Sequence, residues 1–457
     1  MTKVLLTNPR FVPNKYPPLG IAYLAAFLRE NGVNVEILDP VFEGLYIAEK
    51  RLRNPDYDIL AVSTLTMNFE DGLKMAKIAK EANPNCITIF GGIHSTIFPE
   101  EVIKNKEVDV VCIGEGEYTL LELVQQLEKN RDFEGIRGTI LKTVKNPPRP
   151  PIQKLDDIPF PARDLLPMKD YLFTRVGRVG WELRSPSTSM ITSRGCYFRC
   201  TFCSSHLLFG RKVRFRSAKN VVDEIEHLCQ DYNIKGISFV DDTFAQNLKR
   251  IKDISSEIIK RKLDIEWICM GRVDTVSKEM LKEMKKAGCV GIGYGIESGS
   301  QHILDNYIKK GINLNQVENA IKITREVGLT SVAYFMMGTP GETIEDIKKT
   351  IEFAKKLNTD AVNFTITIPM PGTELYDIAN KIGKIEVNSL KDFDYSNYPI
   401  FESPDLPKYK VHELHKNADR EYYFRTSYLL NQILSIKSRP KSAIRILRWI
   451  FNRWRGS

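Results

Sequence analysis

A chain of 457 residues is too long for one ordinary core, so two or three domains are expected. A hydrophobic content of 42% with 27% charged residues excludes a disordered chain, and no apolar run reaches the ~18 residues that cross a bilayer. The net charge of +9 is concentrated at one end: residues 422–457 contain no Asp or Glu but eight Lys or Arg, which leaves the body near neutral and excludes a general nucleic-acid-binding surface.

Met1 to Leu6 leads straight into a strand pattern without the apolar stretch of a signal peptide, so a cytoplasmic location is expected. Across residues 1–140, short apolar runs alternate with amphipathic stretches. Strands are predicted at Val4–Leu6, Val35–Leu38, Ile59–Ser63, Ile87–Phe90 and Val110–Ile113. Helices are predicted at Leu19–Glu30, Phe69–Glu81 and Glu117–Lys129. This order predicts an α/β domain built on a doubly wound parallel sheet, with ligands beyond the carboxyl ends of its strands. Six prolines between Pro147 and Pro161 mark residues 141–185 as a linker.

A second alternating series fills residues 186–400. Its strands are predicted near Thr188–Thr192, Ile237–Asp241, Ile265–Met270, Val290–Gly295, Val332–Met337 and Val362–Ile368. Helical patterns at Val221–Gln230, Ile251–Arg261, Lys278–Lys286, Leu314–Val327 and Ile344–Leu357 separate them. Six such units predict a partial (β/α)6 barrel with its chemistry at the strand ends. Residues 401–457 form a short helical extension. Within it, Lys441–Arg455 places Ile444, Leu447, Ile450, Phe451 and Trp454 at helical spacing opposite Lys441, Arg445 and Arg448. That pattern fits either peripheral membrane contact or a helix docked on the body.

Of eight cysteines, Cys86, Cys112, Cys229, Cys269 and Cys289 stand singly, mostly in apolar runs, and read as small buried hydrophobes. Cys196, Cys200 and Cys203 share one loop after the first barrel strand, and such clustering points to metal or redox chemistry. Three thiolates can hold three irons of a 4Fe–4S cluster and leave the fourth open. By ligand count, His206 also allows a Cys3His zinc site. The strand-end position, outside any small stapled module, weighs toward iron.

The run Cys196-x-x-x-Cys200-x-Phe202-Cys203 resembles the signature of the radical S-adenosylmethionine superfamily. Val240–Phe244, Gly293–Ser300, Met337–Thr343 and Pro369–Glu374 match it downstream. The resemblance implies a 5′-deoxyadenosyl radical as the reactive species. It places Phe202 near the adenine and Glu297 and Ser298 near the methionine and ribose. Gly338, Pro340 and Gly341 would let the backbone approach the nucleoside. Ser63-x-Leu65, Gly91-Gly92-Ile93-His94 and Gly114-Glu115-Gly116-Glu117 resemble the cobalamin-binding domain fused to many members of that superfamily. That likeness implies that Ser63, Leu65, Gly91, Gly92 and Glu115 contact cobalamin. The Asp-x-His-x-x-Gly motif that supplies a cobalt ligand elsewhere is absent; after the first strand the chain reads Asn8-Pro9-Arg10-Phe11-Val12-Pro13. Cobalamin is therefore expected without a protein histidine on cobalt, and His94 reads as a hydrogen-bonding residue at the pocket rim.

Together these likenesses imply an anaerobic cobalamin-dependent C-methyltransferase acting on a small-molecule or lipid-like substrate. An electron donor such as flavodoxin or ferredoxin would be its partner. The alternatives are radical cyclisation or rearrangement, as in the anaerobic magnesium-protoporphyrin ester cyclase branch, and a corrinoid or iron–sulfur sensor without turnover.

Overall fold

The computed structural model describes residues 2–9, 16–54, 56–173, 183–394 and 398–435. The basic amphipathic segment Lys441–Arg455 and residues 10–13 lie outside them. Strands β1 (Lys3–Thr7), β2 (Asn34–Leu38), β3 (Ile59–Ser63), β4 (Ile87–Gly91), β5 (Val110–Cys112) and β6 (Thr139–Leu141) form one sheet in the order β2-β1-β3-β4-β5-β6. The first five run parallel, and β6 pairs antiparallel with β5. Near-continuous apolar runs such as Val4-Leu5-Leu6 and Ile59–Val62 suit strands covered by helices on both faces. The strand β6 escaped sequence reading because three residues beside a proline-rich stretch are too few to show a period.

The second sheet takes β7 (Ser187–Met190), β8 (Gly236–Phe239), β9 (Glu266–Gly271), β10 (Cys289–Glu297), β11 (Thr330–Met337) and β12 (Ala361–Ile366) in simple chain order. All its pairings are parallel. Its crossover helices begin at side-chain caps, including capping boxes at Asn313/Gln316 and Thr343/Asp346. The helix Lys408–Tyr423 lies on β12, the open edge of the barrel. Tyr422 donates to the Thr359 carbonyl at 2.6 Å and Tyr423 to the Val362 carbonyl at 2.6 Å. An edge strand left bare would invite pairing with another chain, and these hydroxyls occupy it.

The proline-rich stretch is a strap packed on both halves. Ile152, Leu155, Ile158 and Ala162 are buried in a core cluster that runs continuously from the first sheet's inner face into the second sheet. Arg163 of the strap donates to Glu224 at 2.6 Å, and Arg216 pairs with the same carboxylate, which is wholly buried. The outer face of the first sheet has a separate core around Leu60, Val62, Phe69 and Phe90. No helix among the described residues is long and apolar enough to cross a membrane.

Candidate functional site

After β7 the chain makes a two-residue ribbon, Ser193–Arg194 antiparallel to Arg214–Phe215, which closes residues 195–213 into one loop. Gly195 stands at its neck with φ +91, and a Cβ there would lie 2.7 Å from the Lys212 carbonyl. Cys196, Cys200 and Cys203 are all partly exposed in this loop. The Cys203 N–H donates to the Cys200 carbonyl at 3.2 Å. Burial pushes the Cys203 thiol up to about 11 and moves Cys196 in the same direction. A thiol so raised keeps its proton until a bound cation stabilises the thiolate. No three His, Cys, Asp or Glu side chains among the described residues converge on a single ion position. His206 sits on the short Ser205–Phe209 helix that follows. Three partly exposed thiols on one loop are a donor set that could hold three irons of a cluster.

Buried charge surrounds the loop. Arg272, just past β9, brings Nη1 to 3.8 Å from the Cys200 Sγ and Nη2 to 2.7 Å from the Lys310 carbonyl. Asp274 holds its guanidinium at 2.9 Å on two nitrogens, and the Phe198 ring centroid lies 3.5 Å away. Lys310 donates to Glu297 at 2.7 Å and sits 5.7 Å from the Phe202 ring centroid. Burial alone would lower the Lys310 ammonium, but Glu297 overrides it and the net shift is upward. Glu297 has φ +73 where the β10–β11 register slips. A Cβ on Gly295 would come within 2.4 Å of the Glu297 Oε1, so glycine there leaves room for the Glu297–Lys310 pair.

Other expected residues serve the walls. Ser298 is wholly buried, and its hydroxyl is shared with Thr350 at 3.2 Å and the Ser300 N–H at 3.1 Å. Gly338 has φ +84, and a Cβ on it would meet Val411 of the C-terminal helix at 2.8 Å. Gly341 has φ +88 and lies under the Tyr307 ring, 2.0 Å from where a Cβ would be. Pro340 between them is buried. Glu342 closes this turn, accepting from the Gly338 N–H at 2.7 Å and the Thr339 N–H at 3.0 Å. Burial pushes its carboxyl up to about 8, and Oε1 has no hydrogen-bond partner among the described residues.

The first sheet turns its strand ends toward this loop. Between them lies a cleft of about 190 Å³, lined by Ser63, Gly91, Gly92 and Glu115 on one side and by Ser193, Arg194 and Asp242 on the other. Ile21, Leu24, Ala61 and Ile89 make its floor apolar. Gly92 has φ +88 and presses on Thr64, whose carbonyl would be 2.6 Å from a Cβ. At Gly114 a Cβ would meet nothing nearer than 4.0 Å, so the space before that strand end is open. Backbone edges, hydroxyls and an apolar floor fit a large, mainly neutral group such as a corrinoid tail, and no histidine among the described residues lines the cleft. Leu65 is 42% exposed and lies outside it. The expected place of His94 at the rim is corrected. It is buried, bonded to the Thr66 hydroxyl at 3.2 Å and packed 4.3 Å from the Phe69 ring centroid, and burial pushes it down to about 4.

Sequence reading missed Arg272, Lys310, Arg194 and Arg214. The signal available was weak: Arg194 abuts Gly195-Cys196, and Gly271-Arg272 follows an apolar strand. Charge at a strand end usually means a solvated turn, and only the fold shows Arg272, Lys310 and Arg214 buried and Arg194 nearly so.

The chain matches the Radical SAM superfamily over residues 190–354 and the B12 binding domain over residues 10–124. It is 39% identical over 449 residues to an uncharacterized methyltransferase of Pyrococcus horikoshii, covering 94% of each chain. It is 28% identical to the anaerobic magnesium-protoporphyrin IX monomethyl ester cyclase of Rubrivivax gelatinosus, over 96% of this chain and 80% of that one. Among solved structures, the radical S-adenosylmethionine methyltransferase TsrM from Kitasatospora setae, with cobalamin and its iron–sulfur cluster bound, has a TM-score of 0.73 at 19% identity. That match covers 93% of this chain and 89% of TsrM. Similarity along nearly the whole length carries both domains together, so the chain belongs to the cobalamin-binding branch of the radical S-adenosylmethionine superfamily and is an enzyme that uses a 4Fe–4S cluster, S-adenosylmethionine and cobalamin.

Proposed function

We propose that the enzyme transfers a methyl group to an unactivated carbon of a small molecule. The observation that carries this reading is the cleft shared by the strand ends of the first sheet and the neck of the cysteine loop. A single cavity wall formed by both domains brings two cofactors to one substrate. In this reading residues 1–140 hold cobalamin through Ser63, Gly91, Gly92 and Glu115, and Leu65, outside the cleft, takes no part. Residues 141–185 link that domain to the catalytic core, residues 186–400. Cys196, Cys200 and Cys203 hold the cluster, and the helix Lys408–Tyr423 covers the open barrel edge.

When bound, the cluster with S-adenosylmethionine supplies a hydrogen-abstracting radical, and cobalamin supplies a transferable methyl group. The chain's own residues set the stage for both. Arg272 and Lys310 place buried positive charge beside Cys200, which offsets the negative charge of a thiolate-bound cluster. Glu297 and Phe202 offer a carboxylate and a ring face to the amino-acid and adenine ends of the nucleoside. Gly338, Pro340 and Gly341 form the turn that Glu342 ties down beside it. Ser298 supports Glu297 from within the barrel wall.

The similarity to the Rubrivivax cyclase favours a second reading, radical cyclisation. Anaerobically reconstituted protein mixed with S-adenosylmethionine carrying a labelled methyl group, dithionite and cobalamin separates the two. Methyl transfer yields S-adenosylhomocysteine and 5′-deoxyadenosine together, and label in the product. 5′-Deoxyadenosine alone, with unlabelled product, selects cyclisation, and neither compound with any candidate substrate overturns both. A lipid-like substrate, a flavodoxin or ferredoxin donor, and a cytoplasmic location with contact at the membrane's inner face belong to the same reading. Flotation with anionic liposomes, comparing the full chain with one ending near Ser438, tests the membrane part. Equal binding by both would remove it.

A further inference from the structure

Glu115 and Glu117 belong to the first domain, yet both carboxylates are taken up by the cysteine loop. Glu115 accepts from Arg194 Nη1 at 2.7 Å, from Arg214 Nη1 at 2.6 Å and from the Ile152 N–H at 2.8 Å. Glu117 accepts from Arg194 Nη2 at 2.6 Å. The four side chains are 3–11% exposed. Arg214 also donates to the carbonyls of Ile152 at 2.6 Å and Phe209 at 3.1 Å.

Arg194 and Arg214 face each other in the two-residue ribbon that closes the 195–213 loop. Among the described residues, every charged contact these two arginines make runs to the Gly114–Glu117 turn of the other domain. Two carboxylates against two guanidiniums make a balanced buried set. Such a set is rigid, because removing one member leaves a charge without water or partner. The same turn lines the cleft: Gly114, Glu115 and Gly116 are part of its wall. One short stretch of backbone thus touches whatever fills the cleft and holds the loop that carries the three cysteines.

We propose that Glu115 is a positioning residue that couples occupancy of the cleft by a corrinoid to the redox state of the cluster in the 195–213 loop. A corrinoid pressing on the Gly114–Glu117 turn alters the Glu115 contacts to Arg194 and Arg214, and through them the packing around the thiolates. Linkage makes the effect reciprocal: a cluster whose potential responds to cobalamin must alter cobalamin affinity when its charge changes. The inference rests on the assignment of Cys196, Cys200 and Cys203 to the cluster. It adds a role for Glu115 that direct cofactor contact does not contain.

The test uses the full-length, anaerobically reconstituted protein. The cluster's midpoint potential is measured by electron paramagnetic resonance at the cluster's own signal, with and without hydroxocobalamin. In the wild type, cobalamin shifts that potential. In Glu115→Gln, which keeps the shape and one acceptor oxygen but removes the charge, the cluster still assembles and, at hydroxocobalamin concentrations where its visible absorbance shows the cleft filled, the cobalamin-induced shift is lost. Glu115→Asp, which restores the charge on a shorter arm, recovers part of it. A shift of wild-type size in Glu115→Gln overturns the coupling, as does a wild-type cluster indifferent to cobalamin. If Glu115→Gln fails to fold, Arg214→Lys gives the same reading, since it keeps the charge but breaks the two-sided contact; an unchanged shift there overturns the proposal too. A wild-type protein that takes up no iron brings down the cluster assignment and the coupling with it. Iron uptake without a shift brings down the coupling alone.

Discussion

The two sheets present their strand ends to each other with opposite chemistry. The first offers glycine edges, a serine hydroxyl and an apolar floor around an open cleft. The second offers three thiols ringed by buried charges, with Arg272 held by Asp274 and Lys310 by Glu297. A site made of backbone and apolar surface recognises a bulky group by shape. A site made of thiols and fixed charges holds a charged, redox-active group and sets its electrostatics. The same parallel-sheet geometry therefore serves two tasks, and the side chains at the strand ends decide which.

If the contrast is right, damage to one side should spare the other. The largest effect is expected from Cys200→Ala: S-adenosylmethionine cleavage falls to background and the low-spin cluster signal disappears, while cobalamin retention, read from its visible absorbance, persists. A Cys200→Ala protein that keeps its iron and its cleavage activity would sink the cluster assignment.

Glu224→Ala strikes the join between the halves, where one wholly buried carboxylate holds Arg163 of the strap and Arg216. Leaving two buried guanidiniums unpaired should cost about 3–5 kcal/mol in chemical denaturation. Loss of stability below about 1 kcal/mol would mean that the strap is held by its apolar contacts alone.

Gly92→Ala is the mirror image of the cysteine variant. With φ +88 and Thr64 in the way, it should cost ~1–3 kcal/mol and abolish cobalamin retention while iron content stays at the wild-type level. Gly338→Ala should cost a similar ~1–3 kcal/mol through its positive φ and Val411, and Val411→Ala should restore part of that loss in the double variant. Full additivity in thermal melts would show that the Val411 contact is not the cause.

The smallest effect concerns pH. Burial holds the Glu342 carboxyl protonated up to about 8, well above the ordinary carboxylate range. The folded state then binds a proton that the unfolded state has released, so stability falls as pH rises through that window. Glu342→Gln should flatten the decline between about pH 4.5 and 8, because the neutral amide can still accept from Gly338 and Thr339. A slope equal to that of the wild type would place the titration elsewhere.

Much of this was legible because it is local. Ten of the parallel strands follow apolar runs of ordinary length, and the cysteine spacing sits within eight residues of one loop. What escaped was short or remote. The strand β6, the Ser193–Arg194 ribbon and the Ser205–Phe209 helix are too brief to show a period. Ser298 and Gly338 carried a motif, but their contacts to Thr350 and Val411 come from residues 52 and 73 positions away.

By itself, then, the sequence determined the two α/β series, the three-cysteine loop, the lack of a cobalt-binding histidine motif and the glycine turns at the strand ends. Those follow from periodicity, from ligand spacing and from the backbone freedom of glycine, each readable within a few residues. Only the tertiary structure decided that the proline-rich stretch is a strap, that His94 is buried, and that Arg272 and Lys310 stand beside the thiols. The ion set joining Glu115 and Glu117 to Arg194 and Arg214 belongs with these. Burial of a charge depends on what distant segments bring to it, and no local pattern records which arginine will lose its water.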